Sequence, residues 1–158
     1  MSRIFARMLS LFGCLTFAAS LFFPHAVYAA ACDQWIAKAV SVEGRVEVQR
    51  AGTTPWQTVK RDDTFCPGDT IRVDEESRAC LALGNQPLLR LDQNTTITLG
   101  GVKEKRGAVV ELTEGAVHFF SRIARNLEVV TGFVNAGVEG TEGLIRVEED
   151  RTLITIYE

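Results

Sequence analysis

The chain has 158 residues, with 17 Lys and Arg against 20 Asp and Glu, and a formal net charge of −3. A mildly acidic protein lacks the positive field that attracts nucleic acids and anionic membrane surfaces, so the composition argues against both partners. The length without the N-terminal segment suits a single domain with a real core.

Residues 1–31 have the pattern of a cleaved signal peptide. Arg3 and Arg7 form a basic region, an apolar region covers Met8–Phe23, and the small residues after Pro24 place the cleavage near residues 29–31. An uncleaved anchor helix is the alternative, but the apolar region is short for a span of roughly 20 residues and Pro24 interrupts it. The sequence therefore predicts export to the periplasm or secretion, and a mature domain over residues 32–158 with no transmembrane span.

Three cysteines follow the leader, namely Cys32, Cys66 and Cys80. In an oxidising compartment two of them are expected to pair. The loop lengths do not decide between the pairs, because either disulfide would contribute roughly 3 to 4 kcal/mol. We favour Cys32–Cys66, since both residues flank predicted strands, and keep Cys66–Cys80 as the alternative. The spacing matches no usual zinc site, so neither a metal nor a cofactor is expected.

A period of two begins at Ala37 and predicts strands to the end of the chain. Val40, Val42, Val46 and Val48 are predicted to share one face of a half-buried strand that Gly44 bends or bulges. Further apolar runs recur about every ten residues with turn residues between them. They are Trp56–Val59, Thr70–Val73, Arg78–Leu83, Leu89–Leu91, Thr95–Leu99, Ala108–Leu112, Gly115–Phe120, Leu127–Thr131, Phe133–Val138, Leu144–Glu148 and Leu153–Tyr157.

This spacing is typical of an all-β fold, and we predict a twisted two-sheet roll or sandwich of the jelly-roll kind. A short helical turn would fit only at Phe119–Asn126. The glycine-punctuated stretch Val129–Val147 is predicted to be a strand–turn–strand unit. Its four glycines (Gly132, Gly137, Gly140 and Gly143) mark turns with positive φ or close backbone approaches.

The last predicted strand is strongly apolar and no turn residues follow it. This pattern indicates that partner strands are missing, as in a piece of a longer protein, or that the strand docks onto another protein. Strand addition at an open sheet edge would then involve Leu153, Ile154, Thr155, Ile156 and Tyr157.

Residue chemistry gives little support to an enzyme. His118 could act as a base for Ser121, but no G-x-S-x-G elbow occurs, and a strand histidine is more simply a packed residue. Acidic pairs and triplets such as Asp62-Asp63 fall at turns and lack the alternating ligand spacing of a calcium loop. Trp35, Trp56 and Phe133 could form a carbohydrate platform, so a cell-wall or polysaccharide-binding module is the alternative function.

Several short motifs occur here in an order that is typical of one family. They comprise a valine-rich strand around a glycine, a Gly-Asp turn, a Ser-x-Ala-x-Leu-x-Leu strand, two Leu- and Thr-rich strands, a Leu-x-x-Gly-x-Val segment and an Ala-x-Val-x-Gly-Thr segment. The corresponding residues are Val40–Val48 with Gly44, Gly68-Asp69-Thr70-Ile71, Ser77–Leu83, Leu89–Leu91, Thr95–Leu99, Leu112–Val117 with Gly115, and Thr131–Val147 with Gly140 and Thr141.

With these motifs the chain resembles the FecR-domain family, named for the periplasmic regulator of ferric citrate uptake. It departs from the family pattern at Gly132, where Pro is usual, and at Glu139, where Arg is common. The iron-signalling members carry a cytoplasmic sigma-regulator segment and a membrane helix before this domain, and here a leader stands instead. The resemblance therefore implies a periplasmic β domain that senses or binds an envelope protein, without enzymatic activity.

Overall fold

The computed structural model describes residue 32 and residues 34–104, 107–121, 127–138 and 142–157. That part of the chain is all-β and contains thirteen strands. They are β1 (Ala37–Glu43), β2 (Val46–Gln49), β3 (Trp56–Thr58), β4 (Thr64–Phe65), β5 (Thr70–Val73), β6 (Arg78–Leu83), β7 (Leu88–Leu91), β8 (Thr95–Lys103), β9 (Gly107–Phe120), β10 (Leu127–Val130), β11 (Asn135–Val138), β12 (Glu142–Val147) and β13 (Thr152–Tyr157).

The all-β prediction is confirmed, and the two predicted sheets are halves of one curled sheet. One half has the strand order β4-β1-β6-β7-β9-β12-β13, and the other has β3-β2-β5-β8-β9-β10-β11. The long strand β9 belongs to both halves, because its first part pairs with β8 and β10 and its second part with β7 and β12. All these pairings are antiparallel except that of β9 with β10, which is parallel.

Gly115 is the point at which β9 passes from one half to the other. Its φ is +86°, and a Cβ there would overlap the Asn94 carbonyl oxygen and the Thr95 hydroxyl. The buried Thr95 hydroxyl fills this space: it accepts the Ala116 N–H at 3.0 Å and faces the Ala116 carbonyl oxygen at 3.2 Å. Only glycine combines this backbone conformation with so close an approach.

The inner faces of both halves enclose one hydrophobic core. Alternate residues of each strand point inward, as a period of two requires. The largest fully buried side chains come from both halves and include Phe65, Leu81, Leu89, Phe119 and Ile145 from one, and Ile71, Ile97, Leu99, Leu112 and Leu127 from the other.

The prediction that Val40 lies on the same buried face as the other valines of the first strand is wrong. The pairing of β1 with β6 shifts register between Ala39 and Ser41, which is a β-bulge. Ala37 and Ala39 point into the core, while Val40 is 42% exposed. Gly44 has a φ of +71° and bends the chain from one half of the sheet to the other, so the predicted single strand is two.

The short strand β4 was not predicted, because a two-residue pairing leaves no periodicity to detect. In the segment predicted as a helical turn, Phe119 and Phe120 belong to β9, and residues 122–126 lie outside the described residues, as does the leader.

Candidate functional site: the β13 edge

The terminal hairpin carries the candidate site. β13 pairs with β12 over six residue pairs, from Glu142 opposite Tyr157 to Val147 opposite Thr152. The turn between them is closed by the Glu148 N–H, which donates to the Arg151 carbonyl at 2.9 Å, and by an Arg151–Glu148 ion pair. Among the described residues, no strand pairs with the opposite edge of β13. In the part of the chain that the structure describes, β13 is therefore an open edge strand.

β13 is apolar on both faces and covered on neither. The register places Ile154 opposite the fully buried Ile145, so Ile154 and Ile156 extend the inner, core-facing surface. Leu153, Thr155 and Tyr157 are on the outer face because strand side chains alternate. The four large apolar side chains are exposed by 43% (Leu153), 46% (Ile154), 51% (Ile156) and 43% (Tyr157).

The strands at the other ends of the two halves of the described sheet are short or interrupted. β3 has three residues and directly follows Pro55, β4 has two and is followed by Cys66 and Pro67, and β11 has four and contains Gly137. β13 has six residues without a charge, proline or glycine. Charges, prolines and short length are the devices that keep sheet edges from pairing, so β13 lacks the protection that the other edges have.

An outer patch lies next to this edge and consists of Leu88, Arg90, His118, Phe120 and Tyr157. The register aligns Leu88, Phe120, Glu142 and Tyr157 across β7, β9, β12 and β13. The Arg90 guanidinium lies 4.8 Å from the Phe120 ring centre, and the His118 ring lies 4.4 Å from Phe120 and 5.6 Å from Tyr157. Sequence reasoning missed this patch, because it depends on which strands are neighbours.

His118 packs against other residues of this patch. Its Nε2 lies 3.1 Å from Glu142 Oε1, and its ring lies against Phe120 and Tyr157. Ser121 follows three positions later and is buried. Ser121 therefore lies buried just beyond the end of β9, whereas His118 belongs to the outer patch on β9.

The other candidate ligands are dispersed. Within the described residues no group of three or more His, Cys, Asp or Glu is arranged to hold a metal ion. Asp62 pairs instead with Lys38 at 2.8 Å, and the hydrogen bond from Lys38 lowers the pKa of the Asp62 carboxyl. Trp35 lies beside Gly84, Trp56 stacks on Arg72 at 4.3 Å, and Phe133 is exposed between β10 and β11. The three aromatic residues thus lie on separate elements rather than on one platform.

The cysteines pair as favoured: the structure joins Cys32 to Cys66, and Cys80 is free. Burial raises the pKa of the Cys80 thiol, against the opposing effect of the neighbouring Arg90. Cys66 also belongs to the Gly68-Asp69 turn. The buried Asp69 carboxylate accepts hydrogen bonds from the Cys66 N–H (2.9 Å), the Ala51 N–H (3.0 Å) and the Arg50 guanidinium (2.8 Å).

The structure describes four of the family-motif residues, namely Gly44, Gly68, Asp69 and Gly115. Gly44, Gly68 and Gly115 all have positive φ, and Asp69 organises its turn. Gly140 and Thr141 lie outside the described residues. In the glycine-rich stretch, Gly143 shows a close approach, because a Cβ there would lie 2.8 Å from the Thr155 carbonyl oxygen, whereas a Cβ at Gly132 or Gly137 would meet nothing.

Comparison with known protein families identifies the family of the chain. The family model described as FecR protein matches residues 69–158, more than half of the sequence. No curated protein and no solved structure matches the chain. Among the described residues no helix has the length and hydrophobicity needed to cross a membrane. The chain belongs to the FecR family, a family of envelope-associated signalling regulators that are not known as enzymes.

Proposed function

We propose that this protein is a non-enzymatic periplasmic interaction module in envelope signalling, exported by its leader, and that a partner protein docks by adding a strand to β13. The observation that carries the proposal is the exposure of this six-residue strand, which is apolar on both faces and open along its edge. A soluble domain seldom leaves such an edge free without using it.

The family supports the signalling role, and the disulfide supports the periplasmic location. Members of the FecR family regulate signalling at the envelope. The Cys32–Cys66 disulfide is suited to an oxidising compartment such as the periplasm.

Strand addition would use both the backbone and the side chains of β13. The free backbone groups along the edge supply hydrogen bonds to any extended segment, and the alternating side chains supply selectivity. A partner would contact Ile154 and Ile156 on the inner face. On the outer face it would contact Leu153 and Tyr157, and Tyr157 leads into the outer patch through its contact with the His118 ring.

Site-specific photocrosslinking in the intact envelope tests this proposal. A photoreactive residue at Leu153 is expected to capture a specific protein, whereas the same residue at Thr58, exposed on the β3 edge, is expected to capture none. Equal capture at both positions, or capture of cell-wall fragments alone at Leu153, would overturn it. The second result would instead establish the cell-wall or polysaccharide-binding alternative.

A further inference from the structure

We propose that, in the resting protein, the segment on the β13 edge is β13 of a second copy, paired antiparallel about a two-fold axis at Thr155. This inference rests on the proposed function, because it takes β13 as the docking edge and names the first occupant of that edge.

The sequence of β13 is nearly symmetric in chemical character about Thr155. Ile154 and Ile156 lie one residue to either side, and the large side chains of Leu153 and Tyr157 lie two residues to either side. In a two-fold antiparallel pair centred on Thr155, Thr155 faces itself, Ile154 faces Ile156, and Leu153 faces Tyr157. Every apolar residue of the strand would therefore meet an apolar residue, and the single polar residue would meet its own copy.

The alternation of the strand restricts the alternative registers. Both copies keep their inner faces on the same side of a continuous sheet only if the register moves in steps of two residues. One such step toward the turn moves the two-fold axis from Thr155 to Ile154. Leu153 would then face Thr155, and Tyr157 would face the charged Arg151. The register centred on Thr155 avoids this mismatch, so it is the one that the side chains favour.

The dimer would complete the surface on both faces. On the inner face, four isoleucine side chains would form a continuous apolar row beyond Ile145, where each copy alone leaves Ile154 and Ile156 about half exposed. On the outer face, Leu153 of one copy would cover Tyr157 of the other, next to His118 and the outer patch. Like-charge repulsion would not oppose the pairing, since β13 carries no charge.

The geometry also explains why association would stop at two copies. A two-fold contact uses the same edge of both copies and leaves neither exposed. The other terminal strands of the described sheet, β3, β4 and β11, are short or interrupted and are poor templates for further pairing. One strand from each copy makes a small interface, so the dimer should be weak and reversible, and an incoming partner could displace it.

A charge-exchange experiment on the full mature protein tests this pairing. Thr155 is exposed, so Thr155→Lys and Thr155→Glu should each fold normally. Each alone would set like charges opposite each other at the axis, and we expect self-association in sedimentation analysis to weaken by about fivefold or more. Mixing the two variants should restore dimers at about the unsubstituted level. Thr58→Lys, the same change on the β3 edge, should leave the dimer unaffected.

A cysteine at the axis tests the register. In a Cys80→Ser background, Thr155→Cys should form a disulfide-linked dimer under mild oxidation, because paired residues of antiparallel strands have Cα atoms about 4.5 to 5.5 Å apart. Thr58→Cys should stay monomeric under the same conditions.

The outcomes separate this inference from the function on which it rests. A mature protein that is monomeric at high concentration, or Thr155→Lys and Thr155→Glu variants that remain separate when mixed, would overturn the dimer. Capture of a different protein from Leu153 in the same envelope would then still support the interaction module. Loss of both results would overturn both proposals.

Discussion

The two ends of one half of the sheet are built in opposite ways. At the β4 end, a disulfide, a buried carboxylate and an arginine hold a very short strand: Asp69 binds two backbone N–H groups and Arg50, which also donates to the Thr64 carbonyl at 2.8 Å. At the β13 end, a longer strand is attached through the β12 ladder and a contact of 2.9 Å between the Thr131 and Thr152 hydroxyls. The disulfide and the buried polar contacts of this half are thus concentrated at the end opposite to the proposed docking edge.

This contrast has a physical reason. A segment that exchanges partners must be able to change its contacts without unfolding the domain, and such segments come from the less stable parts of a structure. The following predictions test this division, beginning with the anchored end.

Asp69→Ala should have the largest effect. It removes the acceptor of three hydrogen bonds and leaves the partly buried Arg50 without its carboxylate partner. We expect the free energy of unfolding to fall by about 3 to 5 kcal/mol, as measured by urea denaturation. The matched control is Asp150→Ala in the exposed β12–β13 turn, which should change it by less than about 0.5 kcal/mol. Equal effects of the two changes would contradict the anchored-end description.

The double variant Cys32→Ser/Cys66→Ser should be the next most damaging. The disulfide joins residues 34 positions apart, and its loss should cost about 3 to 4 kcal/mol because the unfolded chain regains freedom. Thermal unfolding of the oxidised protein measures this. Cys80→Ser serves as control, since Cys80 is free and its replacement should leave the transition near that of the parent. If Cys80→Ser destabilises as much as the double variant, the pairing is wrong.

The half of the sheet that contains β2 should respond to acid. On β2, Glu47 accepts hydrogen bonds from Arg72 at 2.6 Å and Arg45 at 3.1 Å, and these lower the pKa of its carboxyl. A folded pKa below the unfolded one gives stability that is complete above the unfolded value, near 4.5, and is lost as the pH falls through the folded value. Glu47→Gln should therefore flatten the decline of stability below about pH 5.

The control for this pH effect is Glu149→Gln, in the exposed turn before β13. Denaturation curves between about pH 2 and pH 7 should keep their full pH dependence in this variant. Parallel curves for the parent and Glu47→Gln would contradict the assignment to Glu47.

The sequence predicted the strands well and their arrangement only in part. Period-two alternation places most strands correctly, because one face of each is buried in a single core. It could not show that Ala108–Leu112 and Gly115–Phe120 are one strand, since the passage at Gly115 depends on the contact with Thr95. The bulge that exposes Val40 likewise depends on the pairing with β6.

The candidate site, too, could be predicted from the sequence only in part. The apolar character of Leu153–Tyr157 is visible in the sequence and led to the prediction of a docking edge. That the strand stands at the margin of the sheet follows from the order of strands, which is a long-range property. The outer patch was missed for this reason: Arg90, Phe120 and Tyr157 are far apart in the chain and meet only through the ladders of β7, β9, β12 and β13.

Leu153→Ala should have the smallest effect on stability and a large one on binding. Leu153 is 43% exposed, so its truncation should lower the free energy of unfolding by less than about 1 kcal/mol. In a strand-addition complex the same side chain becomes buried, and burying a leucine is worth about 1.5 to 3 kcal/mol, so partner capture or dimer formation should weaken by about tenfold.

The matched control is Leu89→Ala on the buried face of β7, which should destabilise the fold by about 2 to 5 kcal/mol. Because a general loss of stability would weaken binding in the control as well, unfolding and binding are measured on the same preparations. Binding lost at Leu153 while the fold is retained would show that the open end of the sheet serves recognition, and binding unchanged in Leu153→Ala would contradict it.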